Sequence, residues 1–414
     1  YPSTGLISRA ECAMDRLRDI RYTLDKFMSQ NNQLPYRLMT PGPVPVPAAV
    51  LQATSAPMLH HRTPEFMRIF KRVLVELQRV FQTRQPVMML ASTGSGAMEA
   101  AIVNTLSPGD EVLCVDSGKF GERWADMAMA YGVKVTRLKV PWGEAVKVSD
   151  IDLHLNKNPN LKAVLTQACE TSTATLHPLK EIAACVAKYP HCLLMVDAIT
   201  ALAATPLPMD EWGLDVVIAG SQKALMLPTG MAFIALSKKA WEANASSACP
   251  RYYWDLKREH EANLKGQSFF STAVNLVRGL DVVLEEFKKR GLESYVHRCE
   301  KLAAATRTAA AHLHLATFSA APSPSVTALL TPHGIDSEKL RDHLEAKYNI
   351  SVMGGQDQLK GKVIRIGHLG AITEEDLLAT IKYLGKSLID LDFLKISEAD
   401  IDTAVNLARE KMHD

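Results

Sequence analysis

Seven short apolar runs, spaced by stretches of helical character between about residues 64 and 290, limit this chain more than any other feature. They are Val87–Leu90, Glu111–Val115, Val133–Leu138, Ala163–Thr166, Leu193–Val196, Val216–Ala219 and Met231–Leu236. Runs of this length are strands, and strands alternating with helices predict an α/β fold: a mostly parallel sheet with helices on both faces. Most of the runs end in small, polar or charged residues. Ser92-Thr93-Gly94-Ser95-Gly96 follows the first, Asp116-Ser117-Gly118-Lys119-Phe120-Gly121 the second and Glu170-Thr171-Ser172-Thr173 the fourth. Asp197 follows the fifth and Gly220-Ser221-Gln222-Lys223 the sixth. If these strands are parallel, the groups converge at the carboxyl edge of one sheet, where open α/β folds bind ligands.

The rest of the 414 residues divides around this unit. Residues 1–35 read as a polar amphipathic arm, with Leu17, Ile20, Leu24 and Phe27 at helical spacing. The proline-rich stretch Thr40–Pro47 predicts an ordered loop or a linker, because proline fixes φ and removes donors. A large domain is expected over 36–290. A smaller α+β domain over 291–390 is expected to contain helices Tyr295–Leu315, Ser337–Lys347 and Glu374–Leu388 and strands Ser325–Leu330 and Lys362–Ile366. The tail 391–414 carries no reading.

Composition narrows the classes. With 47 Lys+Arg against 45 Asp+Glu, nothing argues for a nucleic-acid or anionic-membrane partner. No apolar run reaches the roughly 18 residues of a membrane span. Seven scattered cysteines without a CxxC or a His/Cys cluster suggest neither a disulfide framework nor a metal site, and fit a reducing compartment. The opening residues, with Glu11, Asp15 and Asp19, resemble neither a signal nor a transit peptide. The cytoplasm is the expected location, an organelle matrix the alternative.

Three groups carry chemistry. Thr93-Gly94-Ser95-Gly96 opens a helical stretch, and unpaired first-turn N–H groups with hydroxyls suit a phosphate. It is neither a dinucleotide fingerprint nor a Walker loop, and a simple Ser/Thr helix cap is the plain alternative. Asp197 ends an apolar run, where a carboxylate is costly unless it is paired or caps a turn. Lys223 also follows an apolar run; if buried there it would lose part of its proton affinity and become a nucleophile for a carbonyl, whereas a solvated lysine would not. Phosphate cradle, buried acid and desolvated lysine together fit pyridoxal 5′-phosphate, whose phosphate, pyridine nitrogen and aldehyde need these three partners.

Beyond these residues, the order Thr40-Pro41-Gly42-Pro43, Phe81-Gln82-Thr83-Arg84, Gly94-Ser95-Gly96-Ala97-Met98-Glu99-Ala100, Lys119-Phe120-Gly121-Glu122-Arg123-Trp124, Glu170–Thr173, Val196-Asp197-Ala198, Gly220–Lys223 and Lys362–Gly367 resembles the class V aminotransferases of the alanine–glyoxylate and serine–pyruvate type. The resemblance runs from about Arg37 to Leu388 and implies the fold shared by fold-type I pyridoxal-phosphate enzymes. It also implies Lys223 as the lysine that binds the cofactor aldehyde, Asp197 as the partner of the pyridine nitrogen, Phe120 as the stacking ring and Thr171 as the hydroxyl beside the phenolic oxygen. Thr93, Gly94, Ser95 and Gln222 would form the phosphate cup, completed in a homodimer by the neighbouring subunit, with Ser271 where relatives place a threonine. Arg365 would clamp the substrate carboxylate as a bidentate fork. The implied reaction is ping-pong transamination between a small neutral amino acid, alanine or serine, and a 2-oxo acid, glyoxylate or pyruvate.

Ala174 departs from the glycine usual after this Glu-Thr-Ser-Thr sequence. Arg62 is either a second carboxylate clamp or a surface residue. Two rivals remain on the same scaffold: a lyase or desulfurase, for which Cys249 is the candidate nucleophile, and a non-catalytic interaction subunit, which would be expected to have lost Lys223 or Asp197.

Overall fold

The computed structural model describes residues 34–393 and 395–413, so the helical spacing expected within residues 1–35 lies outside the described residues up to residue 33. The seven apolar runs form one sheet: β1 (Val87–Leu90), β2 (Glu111–Asp116), β3 (Lys134–Lys139), β4 (Ala163–Gln167), β5 (Leu193–Asp197), β6 (Val216–Gly220) and β7 (Ala232–Leu236). Their order across the sheet is β1-β7-β6-β5-β4-β2-β3. From β6 to β3 every pairing is parallel. β7 runs antiparallel to both of its neighbours, β1 and β6, so β1 points the same way as the other five.

Both faces of the sheet are covered, which explains why its inner strands are apolar throughout rather than alternating. Val87 and Met89 of β1 pack with Phe66, Phe70 and Leu77 of the helix Pro64–Phe81. Met88 and Leu90 face the other way, into a cluster with Ala97, Ala101 and Trp124 of the helices Gly94–Thr105 and Lys119–Ala130. β3 closes one edge; its exposed Lys134 and Lys139 discourage further pairing there. Helix Pro64–Phe81 starts on Thr63, whose side chain accepts from Phe66 N–H, has Pro64 at its first position and stops at Gln82 in the left-handed region.

The smaller unit contains helix Leu292–His312, strand Val326–Leu330, helix Ser337–Tyr348, strand Val363–Gly367 and helix Glu374–Asp390. A short strand Met353–Gly354 completes a three-stranded antiparallel sheet with Val363–Gly367 at its centre. The tail forms a helix, Glu398–His413, which buries Ile401, Ala404, Ala408 and Met412 against helices Leu292–His312 and Glu374–Asp390. Arg37–Leu38 pair in parallel with Ile350–Ser351, and Met39 enters the small core. The chain then crosses to the large sheet through Thr40–Pro47, without helix or strand. The six described cysteines are buried and unpaired, and no helix among the described residues is long and apolar enough to cross a membrane.

Candidate active site

Lys223 lies three residues beyond β6, 8% exposed, and its Nζ donates to the Pro41 carbonyl at 2.5 Å. Burial first, and the nearby Arg365 guanidinium second, push its pKa down to about 8, while Asp197 pulls the other way. Gly42 lets the crossing segment pass this close: a Cβ there would lie 2.4 Å from Lys223 Cδ, and its φ of +118° disfavours any side chain. The solvated-lysine alternative is therefore excluded.

Asp197 is the last residue of β5 and 5% exposed. Its Oδ1 accepts from Ile199 N–H at 2.9 Å, so it does cap a turn, but no other hydrogen bond reaches its carboxylate among the described residues. Burial pushes its pKa up to about 7, Glu170 adds to the rise, and Lys223 and Arg123 oppose it. Asp197 and Lys223 thus sense each other's charge without forming an ion pair. Two buried opposite charges held apart at one sheet edge suit a group that needs an acid at one end and an amine at the other.

The residues expected to cup a phosphate sit at the same edge. Helix Gly94–Thr105 begins at Thr93, whose side chain makes no capping bond, so the plain cap alternative does not describe it and its hydroxyl stays available. Ser95 Oγ accepts from Arg123 Nη1 at 3.4 Å. Gln222 carries a buried Oε1 with no partner. The Thr93 hydroxyl and the open first-turn N–H groups fit the phosphate of a bound cofactor, to which Gln222 would offer its amide N–H rather than Oε1.

Phe120 opens helix Lys119–Ala130, and its N–H and that of Gly121 donate to Glu170 Oε2 at 3.1 and 3.0 Å. Glu170 Oε1 accepts from Ser172 N–H and Oγ. This carboxylate, a motif residue without an assigned role in the sequence, therefore anchors the helix that presents Phe120. An acid flanked by threonines and serine beyond an apolar strand was its only sequence signal. Thr171 Oγ1 lies 2.7 Å from Thr200 Oγ1, and the Thr171 carbonyl accepts from Arg365 Nη1 at 2.9 Å. Arg365, 3% exposed, also donates Nε to the Gly354 carbonyl at 3.0 Å. Burial pushes its pKa down to about 10, and it forms no ion pair with a carboxylate among the described residues. Its Nη2 makes no hydrogen bond among the described residues, which leaves an edge of the fork for an anion.

Ser271, Arg62 and Cys249 make no hydrogen bond to these site residues among the described residues, although Ser271 lines a cavity with Leu90 and Ala91, just before the Thr93 loop. Ser271 is exposed beside Tyr253 and Phe270, and Arg62 is exposed in the turn before helix Pro64–Phe81. Cys249 is buried near Asp110, which immediately precedes β2 and so marks the sheet edge opposite Lys223. A nucleophilic cysteine acting with Lys223 has no support in that position. Ala174 adopts a φ of +58°, the left-handed conformation that explains a preference for glycine there.

Fold and site together define a pyridoxal-phosphate enzyme of the aminotransferase fold. The class-V aminotransferase family pattern matches residues 47–378, and the chain belongs to that family. It is 40% identical to the soluble hydrogenase small subunit of Synechococcus sp. (strain PCC 6716), across 86% of this chain and 94% of that one. It is 34% identical to the serine–glyoxylate aminotransferase of Methylorubrum extorquens, across 85% and 91%. The ureidoglycine–glyoxylate aminotransferase structure from Bacillus subtilis superposes with a TM-score of 0.84 at 30% identity, covering 92% of this chain and 99% of that one.

Proposed function

We propose that this enzyme moves an amino group from a small neutral amino acid, alanine or serine, to a small 2-oxo acid, glyoxylate or pyruvate, in two half-reactions. The observation that carries the reading is Lys223 and Asp197, buried and opposed at one sheet edge with unpaired cup groups beside them. When bound, pyridoxal phosphate supplies an aldehyde that condenses with amines and a ring that accepts the electrons released at the substrate Cα.

Lys223 would hold the aldehyde and, as a free amine, would take the substrate Cα proton on Nζ. A pKa near 8 leaves a useful fraction of that amine free at neutral pH. Asp197 would keep a proton on the ring nitrogen, and Thr171 would donate beside the phenolic oxygen. Phe120 would stack on the ring, and Thr93, Gly94, Ser95 and Gln222 would hold the phosphate. Arg365 orients the substrate carboxylate through its unused guanidinium edge, and its bonds to Thr171 and Gly354 fix the fork before substrate arrives. A single clamp favours a substrate with one carboxylate. Ser271 serves the cup of a partner subunit in a homodimer, which accounts for its exposure here.

The hydrogenase name of the cyanobacterial relative raises the non-catalytic alternative. A scaffold has no use for a buried lysine and aspartate that leave each other unpaired, so the enzymatic reading is favoured. The test is a panel of amino donors against glyoxylate and pyruvate, with absorbance spectra of each half-reaction. Alanine or serine should convert the bound cofactor to its aminated form and glyoxylate or pyruvate should reverse it; a spectrum unmoved by every donor would sink the proposal.

A further inference from the structure

Arg123 lies one turn into helix Lys119–Ala130, with its guanidinium carbon 5.0 Å from the centre of the Phe120 ring and Nη1 reaching Ser95 Oγ. Two acids stand beside it on the helix, yet neither pairs with it: Glu122 accepts from Lys119 Nζ, and Asp126 from Arg137 Nη2. Arg123 forms no ion pair among the described residues. An ordinary surface arginine at this place would be expected to turn to Asp126, one turn along its own helix. This one turns instead toward a serine hydroxyl at the start of helix Gly94–Thr105.

The charge of the ligand makes this placement informative. A phosphate monoester carries nearly two negative charges at neutral pH. Thr93, Gly94, Ser95 and Gln222 are all neutral, and a helix amino end supplies only about half a positive charge. Arg123 stands where the missing cation is needed, and its field already reaches the site, since it is among the charges that oppose the raised pKa of Asp197.

We propose that Arg123 is a phosphate ligand of the cofactor, contributing the cationic donor at the Ser95 end of the cup. This rests on the cup assignment under Proposed function. It predicts affinity that depends on the phosphate group, on salt and on the guanidinium.

The experiment titrates apoenzyme with pyridoxal phosphate and, separately, with pyridoxal, which has the aldehyde and ring but no phosphate. Wild type, Arg123→Gln and Arg123→Lys are compared by fluorescence quenching at low and high salt, and the adduct is located by borohydride reduction and mass spectrometry. Arg123→Gln should weaken pyridoxal phosphate about tenfold, the scale of one partly exposed charge-assisted bond, and flatten the salt dependence. Arg123→Lys should recover part of that loss, and pyridoxal should bind all three proteins equally. Unchanged pyridoxal-phosphate affinity in Arg123→Gln, with the adduct still on Lys223, overturns the proposal and leaves the site reading standing. Equal losses for both ligands also overturn it, because Arg123 would then act on the ring through Phe120. Failure of wild type to form the Lys223 adduct overturns the site reading and this proposal together.

Discussion

Glu170 and Asp197 stand just beyond β4 and at the end of β5, neighbouring strands of one sheet, and both are buried carboxylates whose pKa burial raises. Glu170 accepts four hydrogen bonds, from Phe120, Gly121 and both donors of Ser172. Asp197 accepts one, from Ile199. The desolvation cost is of the same kind, but the compensation is not. A carboxylate saturated by its own chain is a fastening, and one left with a bare oxygen is a site waiting for a donor. Arg365 lies between the two cases, with two bonds to backbone carbonyls and one nitrogen unused.

Five substitutions test that contrast, beginning with Lys223 as the reference for a residue that does chemistry. Lys223→Ala should lower turnover at least about ten-thousandfold and abolish the borohydride adduct, because nucleophile and base are lost together. A reduced adduct on another lysine, found by mass spectrometry, would remove Lys223 from the mechanism.

Asp197→Asn should keep cofactor bound while slowing transamination at least about a hundredfold. In the apoenzyme it should raise the melting temperature at pH 8. The folded pKa of Asp197, about 7, lies above the ordinary carboxylate value, so the native state holds the extra proton between about pH 4 and 7 and loses stability as pH rises through that window. The advantage of the asparagine should therefore shrink toward zero by about pH 4, which thermal melts across pH would show. Near-normal turnover would reduce Asp197 to a turn cap.

Glu170→Gln should do the opposite, costing about 2–3 kcal/mol of stability because an amide nitrogen cannot accept from the donors gathered there. Denaturant unfolding of the apoenzyme measures it; a melt equal to wild type would erase the distinction between the two acids. Arg365→Lys should lower kcat/KM for the amino donor by about 2 kcal/mol with cofactor content unchanged, since the point charge stays and the fork goes. Intact kinetics with a lowered melting temperature would make Arg365 purely a domain tie. The smallest effect is expected for Ala174→Gly, a gain of about 1 kcal/mol or less from relieving the left-handed alanine, read as a small rise in melting temperature.

The contrast also explains what the sequence could reveal. Lys223, Asp197 and Thr93–Ser95 announce themselves because each lies at or just beyond the end of an apolar strand, and strand ends of a parallel sheet share an edge. The bonding of Glu170 is invisible in this way, since its donors come partly from a different helix. Arg365 entered through family resemblance alone: its strand belongs to the small sheet, and only the docking of the two units brings its guanidinium to the Thr171 carbonyl. Periodicity named the run Met231–Leu236 as a strand but says nothing about direction, so the reversal of β7 could not be read. The helix Glu398–His413 shows apolar residues at helical spacing, but two of its four buried positions are alanines, which give little contrast.

That reversal of β7 matters for Lys223. β6 ends and β7 begins at the same edge, Gly220 facing Ala232, so the lysine rides on a loop tied down at both feet rather than on a long crossover. Ser221 cinches it: its N–H donates to the Met231 carbonyl, its Oγ donates to the Pro228 carbonyl and accepts from Met231 N–H, and its own carbonyl accepts from Leu227 N–H. The backbone carrying the amine has already surrendered its conformational freedom during folding, at roughly 1–2 kcal/mol per residue, so no further ordering is charged to each catalytic cycle. Any reach of the amine between cofactor and substrate is then left to rotations of the four-carbon stem of Lys223.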